Sequence, residues 1–233
     1  MSPFQTTRWS MIHTAGDDPT QARAALEQLC AAYRPPVLAY IRRSGYNASD
    51  AEDLAQSFFL RFLETGWFAH ADPERGRFRG LLLTALRHFL SDQRAQAMAR
   101  KRGGGSVQVD EGLDACAAQD DGPEEAFTRA WLGTVIEHAM TRLDIEWTEA
   151  GKHQQFRLLS PLLAERADPE EMRALSEATG IRTNTIAVQA HRMRQRLRQL
   201  VRLELLQTVG SREALEQELA ELRSVMADRP GQH

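Results

Sequence analysis

Six arginines and no acid fall between Ile181 and Leu203, in a chain of 233 residues whose formal net charge is −3. Arg182, Arg192, Arg194, Arg196, Arg198 and Arg202 offer planar guanidinium forks, the geometry that pairs with phosphate oxygens and with the edge of guanine. Of the 29 basic residues in the chain only Lys101 and Lys152 are lysine. A second basic group, Arg75, Arg77 and Arg79, surrounds Phe78 and follows Trp67 and Phe68. Arginines interleaved with aromatics suit an unpaired strand, since cations hold phosphates while ring planes accept unstacked bases. Plugging the base of a domain core is an equally good use of Trp67 and Phe68. Catalysis finds less material. Asp50, Glu52 and Asp53 form a close acidic cluster, but helical spacing spreads their side chains. The seven histidines show no ligand spacing and Cys30 and Cys116 form no CxxC, so neither a metal site nor a placed nucleophile is expected, and no cofactor.

Helices are what must position these groups. In the arginine-rich stretch Ile186, Ala190, Met193, Leu197 and Leu200 recur at 4-3-4-3 spacing and form one apolar stripe. Asn184, Val188, His191, Arg192 and Gln195 fall opposite, with Arg182, Thr183 and Thr185 at the start and Gln189 beside them. Thr183 is the expected N-cap. Before it come the turn Thr179-Gly180-Ile181 and a short helix from Met172 to Ala178. A helix, a short turn with Gly and a longer basic helix make the helix-turn-helix pattern, whose second helix enters the major groove of DNA.

The first half reads as four or five helices. Pro19 to Tyr33 is amphipathic, and Pro35-Pro36 starts a second helix. A third opens at a Ser49–Glu52 capping box. Along it Ala51, Leu54, Ala55, Phe58, Phe59, Phe62 and Leu63 share an apolar arc. Asp50, Asp53, Gln56, Ser57, Leu60, Arg61 and Glu64 share the other side. A leucine at position 60 among charges fits a protein-docking face better than a solvated one. The next helix buries Phe78, Leu82, Ala85, Leu86 and Phe89, leaving Thr84, Arg87, His88, Ser91 and Arg94 outward.

Between the halves, positions 103 to 128 hold no basic residue, while Asp110, Glu111, Asp114, Asp120, Asp121, Glu124 and Glu125 accumulate. This stretch reads as an extended acidic linker, either a plain tether or a strand lying in a basic channel of a partner. After it, Leu215, Leu219, Leu222 and Met226 mark a C-terminal helix with an apolar seam. That helix folds back on its own domain or docks a regulator or second copy. The longest apolar run, Leu81 to Leu86, is too short to span a bilayer, and the N-terminus has no signal core; a cytoplasmic protein with no membrane partner is expected. The expected fold is all-α, two helical domains: 1–102, a linker 103–123, a helix-turn-helix domain 124–209, and an extension 210–233.

Two strings together resemble the extracytoplasmic-function (ECF) sigma factors of the sigma-70 family. DAEDLAQSFFLRFLE with RGRFRGLLLTALRHFLSDQ is similar to region 2, and LSEATGIRTNTIAVQAHRMRQRLRQLVR to region 4. The resemblance implies a non-enzymatic factor that binds the RNA polymerase core and directs transcription initiation at promoter DNA. The helix carrying Asp50, Glu52, Asp53, Gln56, Ser57, Leu60, Arg61 and Glu64 would dock on the β′ clamp helices, with β a further contact. Trp67, Phe68, Arg75, Arg77, Phe78, Arg79, Thr84, Arg87, His88 and Arg94 would read and melt the −10 element. Arg182, Thr183, Asn184, Thr185, Val188, Gln189, His191, Arg192 and Arg196 would serve the −35 element.

The chain departs from that pattern twice. Ser57 stands where members often have an acid, and Ala187-Val188-Gln189 stands where many have a basic-Ser-Arg run. Phosphorylation at Ser57, with Ser49 and Thr65 as further hydroxyls on the same helix, would restore the missing charge. The alternative is that serine is tolerated there. Control by a Ser/Thr kinase or by an anti-sigma regulator is therefore anticipated. A stand-alone helix-turn-helix regulator is the competing reading, and a nucleic-acid enzyme a more distant one.

Overall fold

The computed structural model describes residues 19–65, 77–103, 122–164 and 168–227. Among these residues there are eight α-helices, one 3-10 helix and no strand. They are α1 Pro19–Arg43, α2 Ala48–Glu64, α3 Phe78–Gly103, α4 Pro123–Glu149, α5 His153–Leu159, the 3-10 turn Ser160–Leu163, α6 Pro169–Thr179, α7 Thr183–Leu206 and α8 Arg212–Ala227. The chain divides into two compact units, one of residues 1–134 with 206–233 and one of residues 135–205. Residues 124–134 and 206–209, expected with the second domain, therefore group with the first. So does the C-terminal helix, which was expected to fold onto the helix-turn-helix domain or onto a partner.

In the first unit α1 runs unbroken through Pro35 and Pro36, where two helices were expected. Each proline removes one backbone donor and tends to kink the helix. Burial compensates for this, because Leu29, Tyr33, Val37 and Ile41 on the same helix are all fully enclosed. Helix α2 is capped by Asn47 rather than Ser49: the Asn47 Oδ1 accepts from the Asp50 amide at 2.9 Å. An Asn side chain two residues earlier satisfies an orphan donor equally well, so the helix begins at Ala48. Glu52, freed from the capping role, accepts from Arg34 at 2.5 Å and Arg42 at 3.3 Å on α1. The apolar arc of α2 is laid down through Ala51, Ala55, Phe58 and Phe62. Phe58 meets Phe89 of α3 edge-on at 5.6 Å. The core also holds Phe78, Leu82, Leu86, Phe127 and Trp131, with Tyr33 stacked on Trp131 at 4.0 Å between ring centres.

The second unit is built around α7. Ile186, Ala190, Met193 and Leu200 are buried with Ala139, Leu143, Phe156, Leu159 and Leu162, and Leu197 packs against them half-buried. The 4-3-4-3 stripe thus reaches the core at every position, each full burial contributing about 1.5–3 kcal/mol for a large aliphatic chain. Helix α6 carries the reciprocal capping box of this fold. Asp168 accepts from the Glu170 and Glu171 amides, and Glu171 accepts from the Asp168 amide at 3.0 Å. Pro169 occupies the first turn, so the helix starts three residues before Met172. It ends at Gly180, whose φ of 68° lies in the left-handed region that a side chain disfavours. Three residues, Gly180, Ile181 and Arg182, then lead into α7. Ser176 Oγ donates to the Ile181 carbonyl at 2.7 Å and fixes that turn.

Candidate polymerase and nucleic-acid interfaces

Helix α2 turns an acidic face outward. Asp50, Asp53, Gln56, Ser57, Leu60 and Glu64 are all exposed, and Leu60 is 58% accessible. A leucine this open gains nothing from the fold itself, since its hydrophobic contribution requires contact with another surface. Two residues expected on this face have internal work. Glu52 is half-buried and holds α1, and Arg61 donates to Asp92 of α3 at 3.0 Å. Ser49, Ser57 and Thr65 are exposed, the last donating to the Arg61 carbonyl at 2.8 Å as part of the helix end.

The residues expected to read an unpaired strand separate into three groups. Trp67, Phe68 and Arg75 lie outside the described residues. Thr84, Arg87, His88 and Arg94 line the exposed side of α3. Arg87 pairs with Glu124 at 2.8 Å, and Arg94 donates to the Ser44 carbonyl and sits over the Tyr46 ring. Arg77, Phe78 and Arg79 form the third group and face inward. Phe78 is fully buried, edge-on to Tyr33 at 5.1 Å and to Phe62 at 6.1 Å, as its place in the apolar stripe of α3 requires, which corrects its second assignment, to an unstacked base.

Arg79 is 7% exposed and is held from three sides. Its Nη1 donates to Thr128 at 2.9 Å, its Nε lies 2.6 Å from Glu218, and its Nη2 pairs with Glu221. Arg77 meets Glu218 at 3.0 Å and Glu221 at 2.6 Å. Burial works against the charge on Arg79, and the Glu218 and Glu221 carboxylates outweigh it, so its pKa ends above the ordinary value.

Glu218, Glu221 and Thr128 were missed at the level of sequence. One signal was present: Glu218 lies in the apolar seam of α8, one turn from Leu215 and Leu222. An acid inside a buried stripe calls for a cation.

In the second unit the outer side of α7 matches its expected composition. Arg182, Thr183, Asn184, Thr185, His191, Arg192 and Gln195 are exposed, and Val188 is 44% accessible. Gln189 is half-buried with its Oε1 enclosed. Arg196 is turned to the domain: its Nε and Nη2 grip Glu146 of α4 at 2.8 and 2.6 Å. That hydrogen bond from Arg196 holds the Glu146 carboxyl below its usual range. Arg194 likewise donates to the Leu162 carbonyl. Among the described residues no cluster of His, Cys, Asp or Glu could hold a metal ion, and no helix is long and apolar enough to cross a membrane.

With this geometry in view, comparison with known proteins finds one likeness, within the first unit. Residues 29–100 match the family model for sigma-70 region 2. The matched span runs from the middle of α1 through α2 and most of α3, so it holds both the acid-and-leucine face and the start of α3. The likeness is to sigma-70 region 2 and covers this part of the chain alone, less than half of its 233 residues. No curated protein and no solved structure matches the chain.

Proposed function

We propose that this protein is an ECF-type sigma factor that binds core polymerase and selects promoters through their −10 and −35 elements. The observation that carries the proposal is the sigma-70 region 2 match over residues 29–100. It coincides with a helix, α2, whose exposed side is acidic around an open Leu60. On this reading Asp50, Asp53, Gln56, Leu60 and Glu64 dock on the β′ clamp helices, while Glu52 and Arg61 hold the docking helix in place. The exposed row Thr84, Arg87, His88 and Arg94 faces −10 DNA. Helix α7 enters the major groove with Asn184, Val188 and Arg192 toward base edges and Arg182 and His191 toward phosphates. A stand-alone regulator would have no use for the acid-and-leucine face. A nucleic-acid enzyme would need grouped carboxylates or a placed nucleophile, and neither is called on in this reading.

The polymerase test is transcription by core enzyme on a promoter library, with and without this protein. Initiation at a distinct promoter class only when it is added supports the proposal, and unchanged transcripts refute it. Control by a Ser/Thr kinase or an anti-sigma regulator belongs to the same proposal. Ser57 is exposed on the docking face, where a phosphate would add about −1.5 to −2 charges. Core binding by Ser57→Ala and Ser57→Glu, beside mass spectrometry of protein from cells, decides the kinase. A site in the cytoplasm, where core polymerase works, follows from the same reading.

A further inference from the structure

The start of α3 is held by the far end of the chain. A helix N-terminus leaves several amides without intrahelical acceptors, and side-chain caps ordinarily take them. Here the Phe78 amide donates to the Thr208 carbonyl at 3.0 Å, and Arg77 forms an antiparallel bridge with Val209. Beyond that bridge α8 lies with Ala214, Leu215 and Leu222 buried. Between these two apolar ends Glu218 is only 1% exposed, within reach of both Arg77 and Arg79. Glu221 closes the outer side at 45% side-chain exposure. A buried carboxylate and a buried guanidinium each cost a great deal alone, and pairing offsets much of that cost. Neither can leave without stranding its partner.

We infer that Glu218 is a positioning residue: α8, through Glu218 and Glu221 on Arg77 and Arg79, braces the first turn of α3 and so sets the presentation of Thr84, Arg87 and His88 to −10 DNA. The DNA half of this inference rests on the sigma-factor reading; the brace does not. On that account Arg77 and Arg79 serve the protein's own C-terminal helix instead of phosphates. The docking face is joined to the rest of the unit elsewhere, through Glu52 with Arg34 and Arg42 and through Arg61 with Asp92. Loosening the brace therefore separates two activities that a general loss of fold would lower together.

The experiment uses the full chain with Glu218→Gln, which keeps the shape and removes the charge. Amide hydrogen exchange of the peptide covering residues 77–83 should accelerate at least about tenfold, while the peptide covering residues 48–60 stays as in the wild type. In holoenzyme, affinity for core should change by less than about twofold, and open-complex formation on a −10/−35 promoter should fall by about tenfold or more, a barrier difference of about 1.4 kcal/mol. Glu221→Gln, at the more exposed position, should shift both readouts in the same direction by a smaller factor. Unchanged exchange at residues 77–83 in both variants overturns the brace. Equal losses in core affinity and in open-complex formation overturn the positioning role and leave a merely structural one. If Glu218→Gln does not fold, the Glu221→Gln pair of readouts decides. Should wild-type protein fail to support transcription at all, the sigma-factor reading falls, and the exchange measurement alone decides the brace.

Discussion

Replacing Phe78 by alanine separates a core role from a base-stacking role. Phe78 is fully buried, with Tyr33 and Phe62 edge-on to its ring. Truncating an enclosed phenylalanine typically costs about 3–5 kcal/mol, through lost transfer energy and the cavity left behind. The surroundings here collapse poorly, because Tyr33 is itself pinned flat against Trp131 at 4.0 Å. A value near 4 kcal/mol is therefore expected, a large part of the roughly 5–15 kcal/mol that stabilises a domain. With a urea m-value of about 2 kcal/mol per molar, the midpoint falls by about 2 M. Phe78→Leu conserves most of the volume and should cost less than about 1.5 kcal/mol. The assay is a urea titration of the full chain read at Trp131, with Trp9, Trp67 and Trp147 replaced by phenylalanine so that only this unit reports. Open-complex formation is measured in parallel, at a temperature where both variants remain folded. The core reading requires stability to drop steeply for alanine and mildly for leucine, with promoter melting following the folded fraction. A midpoint moved by less than about 0.5 M in Phe78→Ala, together with abolished melting, would refute the reasoning and return Phe78 to the DNA.

Leu60→Arg should leave stability within about 0.5 kcal/mol, because the side chain is already 58% accessible, yet weaken core affinity by about 2 kcal/mol or more; calorimetry and a fluorescence binding titration check the two halves. Arg196→Ala should lower the melting temperature of the second unit slightly, its Glu146 pair being half-exposed and worth less than about 1 kcal/mol. Since Arg196 depresses the Glu146 pKa, the pair's contribution is complete above the ordinary glutamate pKa and lost as pH falls through the lowered value. The wild-type advantage over Arg196→Ala should accordingly be present at neutral pH and vanish at low acidic pH in paired thermal melts. Arg182→Ala, at an exposed position assigned to a phosphate, should spare stability and reduce the salt dependence of DNA binding by about one counterion, measured by titration at several salt concentrations. The Cys30 thiol, pushed up to about 12 first by burial and then by the Glu27 charge, should resist iodoacetamide at mildly alkaline pH in the native chain and react on unfolding, as read by mass spectrometry.

Much of the architecture and part of the candidate site were legible from spacing alone. The stripe from Ile186 to Leu200 reports a helix because burial on one side imposes a 3.6-residue period on neighbouring positions, and all of its positions reach the core. The turn before α7 was legible for a similar reason: only a residue without a Cβ enters the left-handed region freely, and Gly180 does so. Leu60 among acids was visible because a helix wheel needs nothing beyond the helix itself. Boundaries were less secure. Asn47 and Ser49 are both competent caps, and the choice between them depends on where the preceding turn delivers the chain. Pro35-Pro36 marks a helix start by local rules, yet α1 continues through it because its flanking residues are buried on one face.

The sequence by itself determined the helical class, the two basic groups and the faces that α2 and α7 turn outward, since these follow from residue type and local period. Only the tertiary structure decided what the arginines do. A guanidinium announces that it needs an anion and leaves open which one. For Arg192 the fold leaves the group in solvent, while for Arg196 it supplies Glu146, and for Arg77 and Arg79 it supplies Glu218 and Glu221 from about 140 positions away. Pairings at that separation carry no local period. They are chosen by which surfaces close on one another, and the cost of enclosing Arg79 and Glu218 unpaired is what makes the choice definite.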